Sequence, residues 1–314
     1  MRVNKIATIL ALTICLAASV PGINAAEEKG VANAEELVAR HLDSIANAKA
    51  RADLKSHVAQ GPVQFKILVG GAGILDGKAV FVSQGDKLQF MMKLLNNEYR
   101  GEQFVFDGQK DKVAFATARQ TRSTLGAFMF AQDAVIREGL LGGVLSTAWP
   151  LLNLDERKAK LTFEGVKKVD GQELYEMRYH PKKNSDLEIH LYFDPETYHH
   201  VETTYSYSIQ AGMANLGPSS DNGFPTPGSM DNPGGTGPGV SSEVFTARQQ
   251  QTRYRLQEKF SDFKIVDGFT LPTHYDVQFT QELQSGRTTV SDWDMKDLEV
   301  GSNVSLDPRN FEVK

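Results

Sequence analysis

Residues 85–108 read GDKLQFMMKLLNNEYRGEQFVFDG, and this stretch decides the fold class. Large apolar side chains recur in it at every second position, and turn-forming dipeptides lie at both of its ends. A period of two places alternate side chains on one face of a β-strand, and such dipeptides are typical of antiparallel hairpins. The alternating positions are Leu88, Phe90, Met92 and Leu94 in the first half and Phe104 and Phe106 in the second.

The same alternation returns along the chain. It occurs in residues 65–69, 175–179, 187–193, 201–209 and 275–279. Further turn dipeptides separate these runs: Asp76-Gly77, Asp170-Gly171, Asp267-Gly268 and Ser285-Gly286. Short alternating runs with regularly spaced turns predict a meander of about a dozen antiparallel strands.

Helical patterns interrupt the strands in two places. Asn33 followed by Glu36 has the spacing of a capping box, and apolar residues then recur at helical intervals up to Ile45. Midway along the chain, residues 125–136 follow the helical period as far as a stop at Gly139. We predict a second apolar helix over residues 140–149.

Residues 212–242 contain eight glycines and five prolines and few charged or large apolar residues. Such a segment cannot bury a core, and we expect a long disordered loop. The strand pattern that follows is too short for an independent domain. We therefore predict a single domain over residues 26–314 with this loop inside one sheet, and a linker between two domains is the alternative.

The first 25 residues have the order of a secretory signal peptide. Arg2 and Lys5 precede an apolar run of about fifteen residues, which is shorter than the roughly twenty that span a bilayer. We expect cleavage after Ala25 or Ala26 and a periplasmic mature protein without an integral membrane span. Lipidation at Cys15 is the alternative, although Ile14 stands where a lipoprotein signal needs a small residue. Cleavage would remove the only cysteine, which excludes disulfides and thiol chemistry.

Charge and motifs exclude several classes of function. The chain has 34 Lys and Arg against 39 Asp and Glu, so no nucleic-acid partner is indicated. The seven histidines lack metal-ligand spacing, and no G-x-S-x-G motif supplies a serine nucleophile. We expect neither metal nor cofactor and no enzymatic activity; a hydrolase without a recognisable motif is the third choice of function.

Several hairpin segments resemble those of bacterial lipoprotein-sorting proteins. They are YRGEQFVFDG at residues 99–108, VDGQELYEM at 169–177, LYFDPETY at 191–198 and FSDFKIVDGFTLP at 260–272. With the order of elements, they make residues 34–311 similar to the LolA/LolB/RseB-like superfamily, in a subgroup of unassigned role. The resemblance implies an α+β fold, mainly β: an antiparallel incomplete β-barrel with an N-terminal helix and a helical lid. Its motifs are hairpin turns, and the arginine with which the carriers contact their lid has no identifiable counterpart here.

The resemblance also implies a function, because carriers of this type shelter acyl chains on an apolar face below the lid. We predict a periplasmic binding or carrier protein for lipid or lipoprotein acyl chains. The alternative is an envelope interaction or stress-sensing module that binds a protein partner through the same fold. In both cases the apolar stripes of the insert pack on the sheet, and a groove filled by its own side chains favours the module. The predicted groove and lid residues are Leu88, Phe90, Met92, Leu94, Phe104, Phe106, Leu125, Phe128, Met129, Val135, Leu140, Leu141, Leu145 and Trp149.

Overall fold

A computed structural model describes residues 30–115, 122–183, 185–209 and 251–313 of the protein. The predicted signal peptide, its cleavage site, Cys15 and the whole of the glycine- and proline-rich segment 212–242 lie outside these residues.

The described chain forms one antiparallel sheet of 13 strands. The first five are β1 (Ser56–Val69), β2 (Ile74–Gln84), β3 (Lys87–Leu94), β4 (Gly101–Phe106) and β5 (Asp111–Phe115). The next four are β6 (Lys160–Val169), β7 (Gln172–His180), β8 (Glu188–Phe193) and β9 (His200–Ile209). The last four are β10 (Thr252–Val266), β11 (Phe269–Glu282), β12 (Thr288–Met295) and β13 (Glu299–Ser302).

The strand order leaves the sheet open. It runs β5-β4-β3-β2-β1-β12-β11-β10-β9-β8-β7-β6, with β13 paired to the first part of β1. β5 and β6 are therefore the two edges, and within the described ranges they do not pair with each other. This is the incomplete antiparallel barrel that the sequence predicts. β9 and β10, which flank the undescribed residues 210–250, are hydrogen-bonded neighbours.

Five short helices accompany the sheet within the described ranges. Two precede it: α1 (Ala34–Ile45) and α2 (Ala48–Ala52). Three lie between the edge strands: α3 (Thr124–Ala131), α4 (Ala134–Arg137) and α5 (Leu154–Arg157). Single 3₁₀ turns occur at Gly143–Leu145, Pro150–Asn153 and Pro308–Phe311. None of the helices in this part of the chain is long and apolar enough to cross a membrane.

The predicted start of α1 is confirmed. The Asn33 side chain accepts a hydrogen bond from the Glu36 backbone N–H at 2.8 Å, and the Glu36 carboxylate accepts one from the Ala32 N–H at 3.0 Å. The first bond satisfies an N–H group that the first turn of the helix leaves free, and the second satisfies one that lies just before the helix.

Most of the predicted hairpin turns join consecutive strands, but Asp76-Gly77 does not. Both residues lie inside β2, and residues 70–73 form the actual β1–β2 turn. Gly77 is needed for another reason: a Cβ there would lie 2.1 Å from the Lys93 carbonyl oxygen of the neighbouring strand. The glycine permits close approach of two strands rather than a reversal of the chain.

The prediction of a helix over residues 140–149 is wrong. The segment contains one 3₁₀ turn and is otherwise irregular. Gly139, Gly142 and Gly143 have φ angles of 74°, 79° and 50°, in the left-handed region, and an α-helix cannot continue through them. The first helix of the insert is also broken, because Gln132 and Asp133 separate α3 from α4.

The two faces of the sheet differ in character. The inner face, which α1 and residues 122–157 cover, carries an apolar cluster that extends through the whole sheet. The outer face carries a polar row that crosses six strands through directly paired residues: Glu176, Tyr192, Glu202, Lys259, Asp276 and Asp294. The fold thus places one continuous apolar surface below the helical insert.

Candidate functional site

The insert between β5 and β6 covers the inner face. We call residues 122–157 the lid. The lid follows one edge strand and leads into the other, so the chain passes from edge to edge of the open sheet. Its contacts with β10 and β11 include Phe128, whose ring centroid lies 5.3 Å from that of Phe279 and 6.3 Å from that of Tyr254. The lid is therefore packed on the middle of the sheet.

The structure brings all the predicted groove and lid residues into one buried cluster. The most exposed of them, Phe106, is 6% accessible; six of them belong to the sheet and eight to the lid. Those of the sheet belong to β3 and β4 and are Leu88, Phe90, Met92, Leu94, Phe104 and Phe106. Those of the lid are Leu125, Phe128, Met129, Val135, Leu140, Leu141, Leu145 and Trp149. In this conformation these side chains pack against one another, so a ligand in the predicted groove must displace the lid.

Two adjacent glycines let the lid backbone touch the sheet. A Cβ on Gly142 would lie 2.5 Å from the ring of Phe81, and a Cβ on Gly143 would lie 2.9 Å from Nδ1 of His200. Glycine at both positions provides the left-handed backbone and the space for this contact. Residues 142–143 are therefore a point of close contact between the lid backbone and the inner face.

A buried carboxylate meets the lid at this point. Glu258 belongs to the inner row of the sheet, between Thr203 of β9 and Val277 of β11, and is fully buried. Its Oε1 accepts hydrogen bonds from the Gly142 backbone N–H at 2.8 Å and from the Tyr275 hydroxyl. Its Oε2 accepts a hydrogen bond from the Tyr205 hydroxyl at 2.6 Å.

The environment of Glu258 raises the pKa of its carboxyl. Burial is the main cause, and the hydroxyls of Tyr205 and Tyr275 and the N–H of Gly142 act against it. Three donors from three different elements thus compensate part of the cost of removing a carboxylate from water.

Two buried histidines contact Trp149, in the C-terminal half of the lid. The Trp149 indole N–H donates to Nε2 of His41 at 3.2 Å, and Nδ1 of His41 lies 3.0 Å from the Tyr198 carbonyl oxygen. The ring of His200 stacks on Trp149 with centroids 4.6 Å apart. Burial lowers the pKa of His41 to about 4 and places that of His200 well below its usual value. Both imidazoles are neutral at pH 7, which lets His41 accept the indole hydrogen bond.

A second buried carboxyl lies at the start of the lid. Glu102 on β4 is 1% exposed, and its Oε1 accepts a hydrogen bond from the Tyr99 hydroxyl at 2.8 Å. Tyr99 in turn accepts one from the Trp293 indole N–H at 3.0 Å. Burial raises the pKa of Glu102 to about 7, against the effect of the Ser123 and Tyr99 hydroxyls. Ser123 caps α3 through a bond from the Gly126 N–H, so this carboxyl adjoins the first turn of the lid.

A cavity of about 570 Å³ lies beside Glu102. Its wall includes the predicted groove residues Met92 and Leu94, together with Met91, Leu95 and Arg100. Its size is within the range of ligand pockets, roughly 300–1,000 Å³. The opening lies at the β3–β4 turn, where the polar residues Lys93, Asn96, Asn97 and Gln103 also line it.

Comparisons with known proteins add likenesses of fold. No family model matches the chain, and no curated protein matches its sequence. The chain is similar to a LolA superfamily protein from Nitrosomonas europaea, at 11% identity and a TM-score of 0.43, over 90% of this chain and 99% of that one. It is similar to a putative outer membrane lipoprotein-sorting protein domain from Vibrio parahaemolyticus, at 10% identity and a TM-score of 0.41, over 88% and 96%. A DUF1329 family protein from Desulfovibrio piger has 12% identity and a TM-score of 0.37, over 88% and 96%.

Sequence reasoning missed the polar residues of the site. Glu258 occupies an inward position in a strand whose other inward residues include Tyr254, Leu256 and Phe260. An acidic residue in the apolar register of a strand is the signal that could have found it. His41 and His200 give weaker signals, because an isolated histidine on an apolar face is usual in a protein core. Among the described residues, no three His, Cys, Asp or Glu side chains group in a way that could hold a metal ion.

Proposed function

We propose that the protein is a non-enzymatic binding or carrier protein of the cell envelope that shelters lipid or lipoprotein acyl chains between the lid and the inner face. The observation that carries the proposal is the path of the lid. A segment that crosses the open sheet from edge to edge, and contacts it through apolar side chains, can be displaced without breaking a strand pair. The periplasmic location rests on the predicted signal peptide, which the described residues do not include.

The exchange of the lid for a ligand sets the burial of an acyl chain against the loss of the lid contacts. Each buried methylene contributes roughly 0.8 kcal/mol, so a chain of about fourteen methylenes gains on the order of 11 kcal/mol before ordering costs. The bound acyl chain must replace the contacts that the lid makes with Phe81, Tyr254 and Phe279. Binding therefore depends on the difference between two apolar contacts, and it needs no charged group on the ligand.

A lid that can be locked tests this proposal. The Thr147 backbone N–H donates to the Ser83 hydroxyl at 2.9 Å, so the lid and β2 lie close together at this pair. We expect the double variant Ser83→Cys with Thr147→Cys, in a mature chain that lacks Cys15, to form a disulfide when oxidised. The oxidised protein should not bind a fluorescent fatty-acid probe, and reduction should restore saturable binding. The wild type treated with the same oxidant and reductant is the control, and mass spectrometry verifies the disulfide.

Equal probe binding by the oxidised and reduced variant would contradict a ligand site below the lid. Saturable binding that appears only on reduction supports it.

The packed interior favours one alternative, an envelope interaction or stress-sensing module. All fourteen predicted groove residues are buried by protein in this conformation, and a permanently closed lid would leave the outer face and the strand edges as the binding surfaces. A wild type that is folded and binds no probe, and that is purified from its own envelope with a protein partner and without lipid, would favour this function. Native mass spectrometry with lipid extraction distinguishes the two.

A further inference from the structure

The hydrogen bond between Glu258 and the lid has a consequence for any ligand that replaces the lid. In the closed conformation, Oε1 of Glu258 has two donors, the Gly142 N–H of the lid and the Tyr275 hydroxyl of the sheet. Oε2 has the Tyr205 hydroxyl, also of the sheet. When the lid leaves, both tyrosine bonds remain and one donor to Oε1 is lost.

The Thr203 hydroxyl, beside Glu258 in the same row, is already hydrogen-bonded to Nε2 of His200 at 2.8 Å. The inner row that contains Glu258 continues through Leu191 and Thr203 on one side and through Val277 and Trp293 on the other. The described residues include no Lys, Arg or His in an ion pair with Glu258. An acyl chain bound on the inner face would exclude water from Glu258. The loss of a donor by a buried acceptor costs free energy unless another donor replaces it.

We infer that the preferred ligand carries an amide N–H next to its acyl chain, and that Glu258 selects it by accepting that N–H in place of the N–H of Gly142. The inference rests on the proposed function and names the specificity-determining residue of the same site. The backbone of the lid occupies, in the closed state, the position that the amide of the ligand takes in the open state. Plain fatty acids and esters lack this donor, although their chains can make the same apolar contacts.

Three ligands of equal chain length separate the effect of the donor from that of the chain. N-methyldodecanamide has an amide N–H, N,N-dimethyldodecanamide keeps the amide carbonyl without the N–H, and methyl dodecanoate has an ester oxygen at the same position. Their affinities are measured by displacement of a fluorescent fatty-acid probe from the full-length mature protein. We expect N-methyldodecanamide to bind at least roughly tenfold tighter than the other two, because those ligands leave Oε1 of the buried carboxyl without the donor that it loses with the lid.

The variant Glu258→Gln keeps the size of the side chain and removes its charge. We expect the preference for the N–H ligand to fall to about threefold or less in this variant, because methyl dodecanoate then displaces a weaker bond from the Gly142 N–H and binds more tightly than to the wild type. Glu202→Gln makes the same change at a buried carboxyl of the outer face, which accepts a hydrogen bond from Gln257 at 2.7 Å, and it should keep the full preference. Circular dichroism verifies that both variants are folded.

Equal affinity of the wild type for all three ligands would overturn the inference and leave the proposed function intact, since the chains still bind. Absence of binding by all three would overturn both. If Glu258→Gln does not fold, the comparison of the monomethyl and dimethyl amides on the wild type still decides, because those two ligands differ at the N–H.

Discussion

At the scale of the residue, Gly142 combines a special backbone conformation with a tertiary contact. Its φ of 79° favours glycine, and the ring of Phe81 fills the place of a Cβ. Either property alone would disfavour a side chain. Their combination explains why the lid contacts Glu258 through a backbone N–H rather than through a side chain.

We predict that Gly142→Ala destabilises the protein by about 2–4 kcal/mol, since alanine in the left-handed region costs about 1 kcal/mol and the clash with Phe81 adds to it. Gly286→Ala is the matched control, because Gly286 also has a φ of 79° but nothing lies within 4 Å of its Cβ position. Urea unfolding of both variants measures the difference. An equal cost for the two would show that Phe81 moves away freely.

At the scale of the element, the lid has fewer hydrogen bonds to the sheet than the strands have to one another. Gly142 and Thr147 donate to Glu258 and Ser83. Glu138 accepts a hydrogen bond from the Tyr179 hydroxyl at 3.0 Å, Arg137 pairs with Asp111 at 3.3 Å, and many of the remaining contacts are apolar. Each strand of the sheet, in contrast, is held by a ladder of backbone hydrogen bonds. The lid is therefore the element that we expect to open below the free energy of global unfolding.

Leu141→Ser tests the independence of the lid. Leu141 is 2% exposed, and removing its side chain should cost about 2–5 kcal/mol of lid docking. We expect hydrogen exchange of the amides of α3 and α4 to accelerate while those of β10 and β11 keep their protection. Leu95→Ser, at a leucine that is 84% exposed, should change neither set. A uniform acceleration in lid and sheet would mean that the two unfold as one unit.

At the scale of the whole molecule, two sets of buried groups make stability depend on pH in opposite directions. Burial lowers the pKa of His41 and His57 to about 4, whereas it raises the pKa of Glu102 and Asp276 to about 7, with Asp292 contributing to the shift of Asp276. Between pH 4 and 6.5 the unfolded histidines bind more protons than the folded ones, so their contribution to stability rises with pH. Between pH 4.5 and 7 the folded carboxyls bind more protons, and their contribution falls as pH rises.

Single variants should separate the two contributions. His41→Gln should remove up to about 3 kcal/mol of the loss of stability that accompanies acidification from pH 6.5 to 4. Glu102→Gln should do the reverse and leave the variant less sensitive to a rise of pH from 4.5 to 8 than the wild type. Urea titrations at a series of pH values measure both slopes. Parallel curves for the wild type and His41→Gln would show that His41 is not the neutral buried group described here.

The sequence by itself determined the features that depend on neighbours along the chain. The period of two in residues 88–94 places Leu88, Phe90 and Met92 on the apolar face of a strand, and Asn33 with Glu36 starts α1. Both follow from local geometry, since a strand alternates its side chains and a helix leaves its first N–H groups free. The fourteen residues predicted from these periods lie together in one cluster, because apolar faces must be buried against one another.

Only the tertiary structure decided the features that depend on distant residues. Pairing of β1 with β12 joins Gln64 to Asp294, and it makes β5 and β6 the edges between which the lid must cross. Residues 140–149 have the composition of an apolar helix, but contacts with Phe81 and His200 hold their glycines in the left-handed region. Glu258 is acidic in an apolar row because donors from β9, β11 and the lid meet there. Periodicity reports which face of an element is apolar, whereas the partners of that face are set by burial over the whole chain.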